Sequence, residues 1–119
     1  MEANIVIFGK NSIIAQNFIN NNICRRINFI NISRYSKHAK DINFDIGKFI
    51  TQKDLSKIVL EIKKKLTHKK TIFILFSWCG GPRNTENLEK TSQINKNIIK
   101  NFINISELVV PSRIVFLSS

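Results

Sequence analysis

Five short apolar runs, separated by longer stretches of helical periodicity, constrain this chain more than any other feature. They are residues 5–8, 28–32, 42–46, 71–76 and 113–117. All five read as strands that carry apolar character on both faces. Between them, residues 12–20, 54–66 and 87–109 read as helices. Leu55, Ile58, Val59, Ile62 and Leu66 share one helical face, and Ile13, Ile14, Asn17 and Phe18 recur at helical spacing. Residues 79–83, with two glycines and a proline, read as loop, and Pro111 ends the last helix. Strands buried on both sides and joined by helices predict an α/β fold, a Rossmann-type doubly wound parallel sheet in three α/β/α layers. Right-handed crossovers make the strand order 3-2-1-4-5.

A length of 119 residues is one domain's worth. No apolar run approaches the ~18 residues needed to span a bilayer, and the first twenty or so residues lack a secretory pattern, so the reading is a soluble cytoplasmic chain with no membrane partner. Cys24 and Cys79 have no metal-ligand or disulfide spacing and read as small hydrophobes; no metal site is expected. The formal charge of +11 raises the question of a polyanion partner. Along the sequence, however, the lysines are scattered. Their densest cluster, Lys63 to Lys65 with Lys69 and Lys70, falls at a helix end, where cations complement the macrodipole. Nucleic acid is therefore kept only as an alternative.

In a doubly wound sheet the ligand lies beyond the carboxyl ends of the strands, where the strand order reverses. The first strand runs into Gly9, Lys10, Asn11, Ser12 and Ile13, with small residues at 9, 12 and 15. That is a degenerate form of the glycine-rich turn that offers backbone N–H groups and a helix dipole to a pyrophosphate. After the second strand come Ser33 and Arg34, where a dinucleotide site places a carboxylate for a free ribose 2′-hydroxyl or a cation for a 2′-phosphate. A cation there, with Lys10 in the phosphate turn, favours NADP over NAD. Asp45 and Ile46 follow the third strand, where Asp45 either meets an adenine amino group or caps a turn. Ser77, Trp78 and Cys79 follow the fourth.

FGKNSIIA, Asp45–Ile46, FSWCGGP and the stretch from Ile94 to Ser119 together resemble the extended short-chain dehydrogenase/reductase family, the NAD(P)-dependent epimerases and dehydratases. The resemblance covers the whole chain. It implies that Asn95 is the family's helix asparagine, Asn101 the second one, and Ser119, beside Ser118, the catalytic serine. Ser12 and Ala15 stand where the family has glycines, and Ser77 and Trp78 where it has alanines.

The family's chemistry also needs a tyrosine acid/base with a lysine four residues on. Tyr35 is the one tyrosine, in the cofactor-selecting loop, and residue 39 is alanine. The expectation is thus a single NAD(P)-binding domain, residues 1–119, cut short after the fifth strand and inactive alone, whose parent acts on a nucleotide sugar. Its fifth strand would form an exposed edge that favours self-association. The alternatives are a non-catalytic NAD(P)-binding or assembly module and a basic nucleic-acid-binding domain.

Overall fold

The computed structural model describes residues 2–9, 11–76 and 88–117. Five strands, β1 (Ala3–Phe8), β2 (Ile27–Ser33), β3 (Ile42–Asn43), β4 (Thr71–Leu75) and β5 (Arg113–Phe116), form one parallel sheet in the order β3-β2-β1-β4-β5. Three helices, α1 (Ile13–Asn21), α2 (Gln52–Lys65) and α3 (Leu88–Val109), connect them. The α/β class, the parallel pairing and the strand order agree with the sequence reading, and the fold is Rossmann-like. Among the described residues no helix is long and apolar enough to cross a membrane.

The two faces of the sheet bury different sets of side chains. Val6 and Phe8 of β1 join Ile30, Ile32, Phe73 and Leu75 under Ile58 and Ile62 of α2 and Ile98, Phe102 and Ile105 of α3. Phe102 anchors this layer, with its ring 5.0 Å from Phe8, 6.0 Å from Phe73 and 5.2 Å from Phe116. Tilted and edge-on contacts at these separations suit the ring quadrupoles. On the other face Ile5, Ile7, Ile72 and Ile74 pack beneath α1, which enters through Ala15. Residues of opposite parity on β1 thus serve opposite layers, which is why the central runs are apolar throughout.

Local chemistry sets most boundaries. Ser12 caps α1, its hydroxyl oxygen accepting the Ala15 N–H at 3.0 Å. Thr51 and Asp54 form a capping box at the start of α2, and Lys63, Lys64 and Lys65 lie in its last turn, against the negative end of the dipole.

Four expectations need correction. The third strand ends at Asn43 rather than 46: the Phe44 N–H makes one more bond, to the Ser33 carbonyl, and the Asp45 side chain then accepts the Gly47 N–H and turns the chain out of the ladder. The fifth strand is apolar but not buried on both faces; as the sheet edge it leaves Ile114 and Phe116 exposed. On α1 the sheet-facing positions are Ala15, Phe18 and Ile19, while Ile13 and Ile14 point to solvent, because Ala15 is the residue small enough for the closest approach to β1. Cys24 is exposed, in the turn that leads into β2, and does not serve as a core hydrophobe.

Among the described residues, one position other than glycine has a left-handed backbone. Val110, just past α3, has φ of 58° while its N–H bonds the Ser106 carbonyl at 2.8 Å. This left-handed helix cap favours glycine, and a β-branched residue pays about 1–2 kcal/mol in steric conflict. Val110→Gly is expected to raise unfolding stability by about 1 kcal/mol, the relief of strain exceeding the added chain entropy of glycine. Urea denaturation with an unchanged m-value checks it; a loss of stability would mean the cap is not under strain.

Candidate functional site

The chain turns from β1 into α1 through Gly9, whose φ of 95° is strained for any residue with a side chain. Its N–H continues the ladder to the Ile32 carbonyl at 3.0 Å, and its carbonyl accepts the Ser12 N–H at 3.2 Å. Both backbone groups of Gly9 are therefore held, and no Cβ covers the backbone at this position. A helix leaves its first N–H groups without intrahelical partners, and Ser12 satisfies that of Ala15, so those of Ile13 and Ile14 remain at the positive end of the dipole.

A cleft of about 420 Å³ opens at this point, beyond the carboxyl ends of β1, β2 and β3, and Phe76, just after β4, brings its edge to the reversal of strand order. Its floor is Phe8, Ile32 and Phe76, and Ile94 and Ile98 of α3 form one wall. Seven residues picked out from the sequence line it together: Gly9, Asn11, Ser12, Ser33, Arg34, Asp45 and Ile46. Ile13 stands beside it with its side chain exposed, and Asn95 lies on α3 next to the wall residue Ile94 without lining the cleft. Lys10, Ser77, Trp78, Cys79 and Ser119 lie outside the described residues.

Polar contacts stiffen the rim. The Asn11 side-chain amide donates to the Tyr35 carbonyl at 3.0 Å, tying the glycine turn to the loop after β2. In that loop the Ser36 hydroxyl donates to Asp41 at 2.6 Å and its backbone N–H donates to the Asn43 side-chain oxygen at 2.9 Å. Arg34 lies 4.9 Å from the centre of the Tyr35 ring, and its Nε is 3.6 Å from an Asp45 carboxylate oxygen. The other Asp45 oxygen accepts the Gly47 N–H at 2.9 Å, so Asp45 does cap a turn. Surface exposure of the guanidinium limits what the ion pair contributes to stability.

Two helix asparagines hold the loop that carries Asp45 and Ile46. Asn101, buried, donates to the carbonyls of Ile46 and Lys48, both at 2.8 Å, and Asn97 one turn earlier donates to the Gly47 carbonyl at 3.1 Å. Three successive carbonyls are thus pinned to α3. Asn97 escaped the sequence reading. Its signal was there in a second asparagine four residues before Asn101, on the side of α3 that turns toward Ile94 and Ile98.

The Ser33 hydroxyl differs from every other polar group of the rim. The residue is only 4% exposed, lines the cleft, and its oxygen has no hydrogen-bond partner among the described residues. A buried hydroxyl without a partner costs about 1–3 kcal/mol, which a ligand atom in the cleft would recover.

The chain matches no known protein family, no curated protein and no solved structure. What can be said of this cleft therefore comes from its own residues. The parallel sheet, the reversal of strand order and the glycine turn into a capped helix make it the cleft of a Rossmann-like fold.

Proposed function

We propose that the chain is an NAD(P)-binding domain, with NADP the favoured cofactor. The observation that carries this reading is the partnerless Ser33 hydroxyl in the wall of a cleft that also receives the start of α1. A ribose hydroxyl at Ser33 and a pyrophosphate at the turn of Gly9 and Ser12 would satisfy, in one ligand, a buried hydroxyl and the open end of a helix. Ala15, fully buried against the sheet, supports it, because the third small position of such a turn serves close packing of helix on strand.

The choice between cofactors rests on charge. Where a carboxylate would hold a free 2′-hydroxyl the chain has Arg34, 63% exposed and within reach of both Asp45 and the Tyr35 ring. Its fork of donors suits a 2′-phosphate. In a parent reductase, epimerase or dehydratase of the short-chain dehydrogenase type, acting on a nucleotide sugar, the cofactor supplies hydride chemistry. Tyr35 has alanine four positions on, so it is not the tyrosine of a tyrosine–lysine proton-transfer pair.

Calorimetric titration with NADP and NAD tests the reading. NADP is expected to bind more tightly, and Arg34→Ala to weaken NADP about tenfold, the loss of one charge-assisted pair, while changing NAD little. No heat with either cofactor, or tighter NAD binding indifferent to Arg34→Ala, overturns it.

A further inference from the structure

The lysines and arginines that are scattered in the sequence are gathered by the fold. At the end of the sheet opposite the cleft, where the parallel strands begin, the Ala3 N–H bonds the Arg26 carbonyl at 3.0 Å and the Asn4 N–H bonds the Lys70 carbonyl at 2.8 Å. Arg113 opens β5 in register with Ile72 of β4, and the side chain of Asn28 reaches the Lys65 carbonyl at 2.8 Å. These contacts fix Arg25 and Arg26 ahead of β2, Lys69 and Lys70 ahead of β4, and the lysine-rich end of α2 on one pole. Eight of the nineteen lysines and arginines lie there, against Glu2 and Glu107.

Complementing helix dipoles accounts for only part of this charge. Lys63, Lys64 and Lys65 sit in the last turn of α2, but the last turns of α1 and α3 carry no basic residue. The other five cations belong to connections and to the first residue of a strand. Adjacent strands stand about 4.8 Å apart, so the cations at the starts of β2, β4 and β5 form a row along the sheet end, with the α2 lysines beside it.

We infer that this basic pole is a second binding surface, one that takes the phosphate backbone of a nucleic-acid duplex without reading its sequence. The segments 23–26, 63–70 and 110–113 contain no Phe, Tyr or Trp, so there is no platform for unstacked bases, and backbone charge is what the pole can contact. An anionic membrane surface fits less well. Of the exposed aliphatics toward this end, Ile23 stands alone before β2, and Leu108, Val110 and Ile114 lie about the short connection from α3 to β5, too few to make the extended apolar face of a membrane-lying helix. The surface lies at the opposite end of the strands from the nucleotide cleft and does not depend on it.

Fluorescence anisotropy of a labelled mixed-sequence duplex, measured as a function of salt, tests the inference. Binding is expected to weaken steeply with salt, at about −0.9 in log–log slope for each phosphate contacted. Reversing Lys63, Lys64 and Lys69 to Glu is expected to lower affinity at least about tenfold and to flatten the slope by about three. A control with Lys37→Glu, Lys40→Glu and Lys96→Glu makes the same change of net charge away from the pole and is expected to stay within about threefold of the parent. All six residues are exposed, and circular dichroism checks that both variants fold. Equal losses in the two variants, no salt-dependent binding at all, or binding to phosphatidylserine vesicles but not to the duplex would each overturn the assignment.

Discussion

Asn4→Ala is expected to destabilise the fold by roughly 3–5 kcal/mol, the cost of leaving several buried polar groups without partners at once. Asn4 is fully buried in the central strand. Its amide donates to the His68 carbonyl at 2.7 Å, the Lys70 carbonyl at 3.3 Å and the Thr71 hydroxyl at 3.2 Å. Its oxygen accepts the Asn28 amide and the Thr67 N–H, both at 2.9 Å, and the His68 N–H at 3.2 Å. One side chain therefore organises the passage from α2 to β4 and joins it to β1 and β2. Most single domains are stable by only about 5–15 kcal/mol, so the variant should fold incompletely at ambient temperature. Chemical denaturation reads the effect, and a loss under about 1 kcal/mol would show that water replaces Asn4 without difficulty. Asn28→Ala, which removes two hydrogen bonds, to the Asn4 oxygen and to the Lys65 carbonyl, should cost less.

Asn4 also marks the limit of what the sequence discloses. The fold was legible because its information is local and repeated: runs such as 71–76 are apolar on both faces, helices lie between them, and right-handed crossovers leave few strand orders. The cleft was legible for a related reason. Once the strands are parallel, the residues that follow them must converge, so Gly9, Ser33 and Asp45 meet although they are far apart in the chain. Side chains that pin distant backbone obey no such period. Asn4 reaches residues more than sixty positions away, and at the start of an apolar run it reads as a border residue rather than a hub. Asn101 stands out in the sequence only as the second helix asparagine that the resemblance implies, and Asn97 not at all; nothing local names the loop they hold. The basic pole was hidden likewise, because spacing along the chain says little about which loops a parallel sheet brings to one end.

Asn101→Leu is expected to cost roughly 2–4 kcal/mol and to weaken the proposed nucleotide binding as well, because two carbonyls lose their donor in a site that water reaches poorly. Leucine keeps the branching of asparagine but its methyl groups are bulkier, so at this buried position overpacking adds to the lost hydrogen bonds, and the near-isosteric aspartate separates the two effects. Asn101→Asp should do at least as much harm: it keeps the shape but presents acceptors to the carbonyls of Ile46 and Lys48, 2.8 Å from the present amide. The functional consequence follows from the position of the loop. Asp45, Ile46 and Gly47 line the cleft, and Gly47 already sits where an added Cβ would come within 3.0 Å of Ile94 on α3. A loop seated that closely depends on its hydrogen bonds to stay against the helix, since the apolar contact area of a glycine is small. Released from Asn101, the segment would carry Asp45 away from Arg34 and widen the cleft on the side opposite Gly9. Cofactor affinity should then fall in both the Leu and the Asp variants at temperatures where each remains folded. Unchanged affinity in a folded Asn101→Leu protein would separate the loop from the binding surface and confine this asparagine to holding α3 on the sheet.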